Sequence, residues 1–495
     1  MDYILGIDIG TGSTKAVAVG LDHTAFESIQ YFYPTTAKHT GYSEQDPEQI
    51  WDAFQQSIKE VIQKIGAAPH TISLSSAMHS LIAVDENGKA LAPMMTWADS
   101  RSTAIAESLL SSAVGMELYK LTGTPIHSMS PLCKVIWIRE HQPTLFKNTF
   151  KFISIKEYIW YKLFRTFECD YSIASCTGLM EIEELRWCDK ALAAAGITVA
   201  QLSTLVPTTY VHKDFDPAYA LPFLKAGTPF VIGASDGCLA NLGTGAIKPG
   251  MAALTIGTSG ALRVAGSQAV FNEKAMTFSY LLDENIFING GPINNGGIAL
   301  KWHLKNVLGK EELDEADYDR AFEGVEKIAA GADGLIFLPY LQGERAPIWD
   351  SKSCGTFFGI GLKHHQPHFT RAVIEGICFA LNDVLQSLVA SGQQIDQLNV
   401  SGGFVSSPVW LQILADITGK KLVLATTEDA SAVGAAYLAI KATHLSAVYP
   451  LPELKDNRII TPIENKHIHY QRYFNIYKKL YTSLKGAMHE LNDLS

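Results

Sequence analysis

Apolar residues run along the segment YILGIDIGTGSTKAVAV, from Tyr3 to Val19, and small polar ones break the run at Gly10–Thr14. This pattern predicts a β-hairpin whose Ile/Val-rich arms are joined by a glycine turn. One acid, Asp8, falls among the apolar positions of the first arm. A lone carboxylate is costly to bury and calls for a positive partner. The turn offers amides and hydroxyls but no cation before Lys15, so a metal ion or a phosphate-bound metal would supply the missing charge.

Helical spacing follows from Pro47 to Ile65, with Asp46 as the predicted cap and Pro47 in the first turn. The segment TISLSSAMHSLIAVDENGKAL (71–91) reads as strand, functional turn, strand and an Asn87-Gly88 hairpin turn. A second glycine hairpin is predicted at MAALTIGTSGALRV, Met251 to Val264. Laid over the first, Ile7–Thr11 matches Leu254–Thr258, with identity at the last three positions. Each copy opens roughly half of the chain, which suggests a duplicated domain. Downstream, helical periodicity covers Phe369 to about Ser391. LNVSGGF reads as a strand and glycine turn, Pro408 to Thr418 as a helix, and 429–442 as a small-residue helix capped by Asp429 that packs closely on a neighbour. A Tyr- and Lys-bearing helix closes the chain. The expected organisation is an N-terminal domain over 1–247, a C-terminal domain over 248–445, and a helical extension over 446–495.

The chain has 495 residues, 47% hydrophobic and 18% charged, the composition of a globular protein with a sizeable core. Its formal charge of −10 argues against a nucleic-acid partner, which demands a basic face. No apolar run reads as long enough to span a bilayer, and no leader pattern precedes the first strand. Seven cysteines form no paired spacing, which favours reduced thiols and a cytoplasmic location.

Several further segments occur in a fixed order: SSAMHS (75–80), WADSR (97–101), MSPLCKVIWIREH (129–141), GASDG (233–237), IGTSG (256–260), GER (343–345), GTFFGIGLKHHQPHFTRAVIE (355–375) and SGGF (401–404). This set resembles the signature segments of the FGGY carbohydrate kinases over Tyr3 to about Ala442. SSAMHS, WADSRS, GTPIHSMSPL, IKEYI and VIGASDG look most like the gluconate-kinase branch, whereas xylulokinases usually read QMHG and WNDGR at two of those places. The resemblance implies an α/β fold of two actin-like, ribonuclease-H-like domains related by duplication, with a catalytic cleft between them. It also implies ATP and Mg²⁺ as cofactors and a small sugar acid as substrate, with xylulose or another polyol as the alternative. A non-sugar actin-like ATPase would use the same turns but has no need of MHS and WADSR. A homodimer is compatible with this reading.

Under the resemblance, Asp8 holds the metal, and Thr11, Gly12, Ser13, Thr14 and Lys15 bind phosphate. Thr258, Ser259 and Gly260 grip it from the other domain. Gly297, Gly402, Gly403 and Ser407 lie near the adenosine, although the family often has Asn where Ser407 stands. Asp236 is the candidate general base; its residues alone fit a helix cap equally well. Met78, His79, Trp97, Asp99 and Arg101 would hold the sugar, with a structural Asp99–Arg101 ion pair as the competing reading. A sugar acid needs an additional cation or donor. His127, Lys156 and Arg345 are the candidates, and His127 is the most discriminating, because Lys and Arg at the other two places also occur in kinases of neutral sugars.

Overall fold

The computed structural model describes residues 2–215, 221, 223–310, 312–424, 429–450 and 459–494. The chain forms two compact units: Met1–Ile247 with Ala265–Asn289 and Asp429–Glu453, and Lys248–Val264 with Gly290–Glu428 and Leu454–Ser495. The units are therefore discontinuous in sequence. Asp429–Glu453, expected in the C-terminal domain and its extension, clusters with the first unit. Residues 451–458 of that expected extension lie outside the described residues.

In the first unit the hairpin forms where the apolar pattern places it: β1 (Tyr3–Ile9) and β2 (Ser13–Gly20) pair antiparallel, with Asp8 opposite Lys15. Strand β3 (Ala25–Phe32) extends the hairpin. Helix α1 (Pro47–Ile65) starts at Asp46, whose side chain accepts from the Glu48 amide, and stops at Gly66 in the left-handed region. These are the signals that define a helix start and stop. Strand β4 (Thr71–Ser76) then runs parallel to β1. With β5 (Val211–His212) and β6 (Phe230–Ser235) the sheet order is β5-β6-β4-β1-β2-β3, and β6 is parallel to β4.

One face of this sheet packs on Trp51, Phe54, Ile58 and Val61 of α1. The other face packs against helix Ala430–Ala442. That helix approaches closely, as its composition predicts: a Cβ on Gly434 would lie 2.0 Å from the Leu239 carbonyl oxygen. Only a glycine permits this approach.

The second unit repeats the opening theme. Strands β7 (Gly250–Ile256) and β8 (Gly260–Gly266) form an antiparallel hairpin, and β7 runs parallel to β9 (Ile395–Ser401). Strand β10 (Lys421–Leu424) continues parallel. Helix α2 (Gln366–Ala390) crosses the core of this unit, and α3 (Pro408–Thr418) and α4 (Glu464–Leu494) pack with it. By length and composition α2 could cross a membrane, which corrects the expectation that no run is long enough. Its apolar positions, from Ala372 to Leu388, are instead core residues of the unit. The seven cysteines are all free thiols, six of them buried.

Candidate active site

Strands β1, β4 and β6 are parallel neighbours, so their C-terminal ends lie side by side, the usual place for ligands in open α/β sheets. Asp8 stands opposite Ser75, and Ser235, the residue before Asp236, stands opposite Ser76. Two strand spacings and a two-residue stagger put the Asp8 and Asp236 backbones about 12 Å apart. The Ser75 hydroxyl donates to Asp8 Oδ1 at 2.7 Å.

Burial raises the Asp8 carboxyl above its ordinary range; the Ser75 hydrogen bond and Lys15 oppose this, and Asp429 adds to it. Lys15 faces Asp8 across the hairpin, but its ammonium is paired with Asp429 Oδ1 at 2.5 Å. The Asp429 side chain therefore makes no cap hydrogen bond to helix Ala430–Ala442, contrary to the sequence expectation. Two carboxylates share one ammonium here, leaving a local negative charge. Oxygen ligands of this kind suit a hard cation. Among the described residues no cluster of three or more His, Cys, Asp or Glu could hold a metal. A donor set of one or two carboxylates completed by phosphate is how Mg²⁺ is commonly bound, so Asp8 fits that ion.

The turn after Asp8 is braced from behind. Trp97 Nε1 donates to Thr11 Oγ1 at 3.0 Å, and Gln30 Nε2 donates to Ser13 Oγ at 2.7 Å. Thr14 is fully buried, its hydroxyl 3.3 Å from that of Tyr33. Its side chain thus points inward, not toward a phosphate as expected. Gly12 is exposed, with open space where a Cβ would stand.

Asp236 is the first residue of the helix Asp236–Gly243, with Ser235 at the cap position. Its Oδ1 accepts from the Gly237 amide at 2.6 Å, so the cap reading suggested by SDG applies to its neighbour's position. Ser431 Oγ donates to the Asp236 carbonyl and ties helix Ala430–Ala442 to this corner.

Met78 and His79 follow β4. His79 has φ +66°, its Nδ1 lies 2.8 Å from the Cys176 carbonyl, and its ring is buried against Tyr280. Asp99 and Arg101 form the bidentate ion pair that D-x-R allowed, at 3.0 and 2.8 Å. Arg101 also pairs with Glu44 at 2.9 Å and lies 3.8 Å over the Tyr42 ring, while fully buried Asp99 accepts from the Ser43 amide. The Asp99–Arg101 ion pair set against the sugar-ligand reading is thus formed.

Among the three carboxylate-binding candidates, Lys156 is sealed in the core. Its ammonium is 2.6 Å from Asp170, and both side chains are 1% exposed. Half-buried His127 accepts through Nδ1 from the Met129 amide at 3.1 Å. Arg345, in the second unit, donates to the Ile293 carbonyl at 3.1 Å. The preceding residue, Glu344, accepts from the Arg345 amide and the Asn295 side chain.

Lys134 was missing from the sequence candidates. It is wholly buried, and its ammonium donates to the carbonyls of His79 at 2.6 Å and Thr96 at 2.7 Å. Desolvation pulls its pKa down to about 7, with Asp99 and Cys133 opposing and Arg101 assisting. Its position within MSPLCKVIWIREH, a lysine among apolar residues, was the available signal.

In the second unit, Gly257 and Thr258 are exposed at the hairpin turn. The amides of Gly297 and Ile298 donate to the Gly257 and Thr258 carbonyls at 2.7 and 3.1 Å. A Cβ on Gly297 would stand 2.7 Å from the Gly257 oxygen, so Gly297 supports the turn through close approach. Gly402, at φ +109°, would bring a Cβ within 2.1 Å of the Ile256 oxygen, whereas Gly403 faces open space. Ser407 caps α3, its Oγ accepting from the Trp410 amide at 3.3 Å, and this accounts for its hydroxyl without a nucleotide.

Comparison with known proteins agrees with this architecture. Residues 3–243 match the N-terminal domain of the FGGY family of carbohydrate kinases, and residues 252–443 match its C-terminal domain. A gluconokinase of Bacillus licheniformis is 42% identical over 450 residues, 89% of this chain and 88% of that protein. A gluconate kinase structure from Lactobacillus acidophilus superposes with a TM-score of 0.92 at 32% identity, covering 99% of both chains. A ligand-bound xylulose kinase structure from the same organism gives the same score and identity, covering 99% of this chain and 100% of that one.

Proposed function

The chain belongs to the FGGY family of carbohydrate kinases, and we propose that it transfers the terminal phosphoryl group of ATP to the terminal hydroxyl of D-gluconate, giving 6-phospho-D-gluconate. The observation that carries the chemistry is the pair of acids, Asp8 and Asp236, ending parallel strands on either side of β4. The substrate is taken from the 42% identical gluconokinase.

Phosphoryl transfer needs charge neutralisation, alignment and a base for the acceptor hydroxyl. Asp236 takes the proton from the sugar hydroxyl, a contribution of about 10²–10⁴-fold. Asp8 would hold Mg²⁺, which when bound neutralises charge on the phosphates. The exposed Gly12 and Gly257–Thr258 turns offer backbone to phosphate oxygens. The packed loops bearing His79, Trp97 and Arg101 form the sugar end, with His127 meeting the substrate carboxylate. The pairing of buried Lys156 with Asp170 favours His127 for that contact. Free, buried thiols accord with a cytoplasmic enzyme.

A second reading, xylulose or a related polyol as substrate, has the equal structural match to a xylulose kinase in its favour. A coupled ADP-release assay across gluconate, xylulose, glycerol and ribulose separates the two; gluconate should give the highest kcat/KM. Replacing His127 with Leu should cost about 1–3 kcal/mol in gluconate kcat/KM and leave a neutral polyol unaffected. An equal loss for both substrates would make His127 a packing residue.

A further inference from the structure

We infer that Lys134 is a positioning residue for sugar binding: bridging the carbonyls of His79 and Thr96, it sets the spacing of the two loops that carry Met78–His79 and Trp97–Arg101. The inference rests on the reading above only in taking those loops as the sugar end of the site.

Three observations converge on it. First, Lys134 lies in helix Pro131–His141 among buried Leu132, Cys133, Val135 and Ile136, where an apolar side chain would serve packing better. An ammonium in such a place is costly unless its hydrogen bonds are needed. Second, both bonds are short, 2.6 and 2.7 Å, and go to main-chain carbonyls of two separate loops rather than to a carboxylate. A cation that donates to two carbonyls fixes the distance between them, which an ion pair with one acid would not do. Third, His79 sits at φ +66°, a conformation that a non-glycine residue keeps only when its surroundings hold it. Lys134 holds the carbonyl of that residue, while the Cys176 carbonyl lies against the ring.

The neighbouring groups tighten the same junction. Asp99 and Arg101 are ion-paired on the same loop whose Thr96 carbonyl Lys134 holds. Ser102 Oγ donates to the Ser128 carbonyl at 3.0 Å, linking the WADSR loop to the segment between His127 and the start of the helix. One buried side chain thus stands where three segments bearing candidate sugar contacts come together.

The test is steady-state kinetics of wild type, Lys134→Met and Lys134→Gln with gluconate and ATP, alongside thermal melting. Removing two charge-assisted donors should raise gluconate KM about 10-fold or more. ATP KM should rise less than gluconate KM, because Trp97 is the one brace of the Gly10–Thr14 turn that lies on a loop held by Lys134, while the Gln30 brace stays in place. The Gln variant, which retains an amide donor, should recover part of the sugar affinity. A folded Met variant with wild-type gluconate KM would overturn the inference. So would a variant whose melting temperature and kcat fall with both KM values unchanged, or the failure of both variants to fold; each makes Lys134 purely structural. Wild-type protein without sugar-dependent ADP release would instead overturn the sugar-kinase reading, a separate outcome.

Discussion

In the first unit the hairpin β1–β2 lies beside β4, and Asp8 stands opposite Ser75; in the second the hairpin β7–β8 lies beside β9, and Thr255 stands opposite Ser401. Each opposed pair is joined by a side-chain hydrogen bond, at 2.7 Å in the first and 3.1 Å in the second. Across the hairpin the contrast sharpens: Asp8 faces Lys15, whereas Thr255 faces Ala261. The same scaffold is built once with charges and once without. A glycine turn offers its backbone to a phosphate in either form, so Asp8 is not required by the turn. A half-buried carboxylate that the scaffold can do without is best explained by a cation, the task assigned to it above.

If that contrast is right, acids in the first unit should dominate the chemistry. Asp236→Asn keeps the size of the side chain and removes the base, so kcat should fall about 10²–10⁴-fold with ATP affinity nearly unchanged. Near-normal kcat would make Asp236 a helix-start residue only. Asp8→Asn should lower kcat by about 10²-fold or more and flatten the dependence of rate on Mg²⁺ concentration. In metal-free buffer the same variant should melt at a higher temperature than wild type, because folding buries the Asp8 charge at a cost. A lower melting temperature with intact Mg²⁺ dependence would mean that Asp8 serves the fold.

How far the site was legible in the sequence depends on how far apart its partners lie. Local signals are legible: Asp46 and Pro47 start α1, and the apolar pattern locates both hairpins. The Asp99–Arg101 pair spans two positions and was visible as an alternative. Long-range choices were not visible. Asp429 looked like a cap, yet its carboxylate serves Lys15 from 414 residues away. Lys134 reaches carbonyls 55 and 38 residues back, and main-chain carbonyls leave no mark on a sequence. Lys156 reads as a substrate cation in the sequence, where its pairing with Asp170 leaves no mark. The length and hydropathy of α2 equally describe a membrane span and a core helix, and only its packing decides between them.

The smallest expected effect tests the neutral copy directly. Thr255 and Ser401 exchange a hydroxyl–hydroxyl hydrogen bond at a half-buried position, and neither carries charge. Thr255→Val keeps the shape and β-branching suited to a strand and removes one donor–acceptor group. The loss should be about 1 kcal/mol of stability, the net worth of one neutral hydrogen bond. Because the turn at Gly257–Thr258 is also held by the amides of Gly297 and Ile298, ATP KM and kcat should change by less than about threefold. Paired with Asp8→Asn, the experiment compares the same scaffold position in both units, once charged and once not. A kcat loss in Thr255→Val matching that of Asp8→Asn would show that the two hairpins carry equal catalytic weight. The charge asymmetry would then be incidental to the reaction.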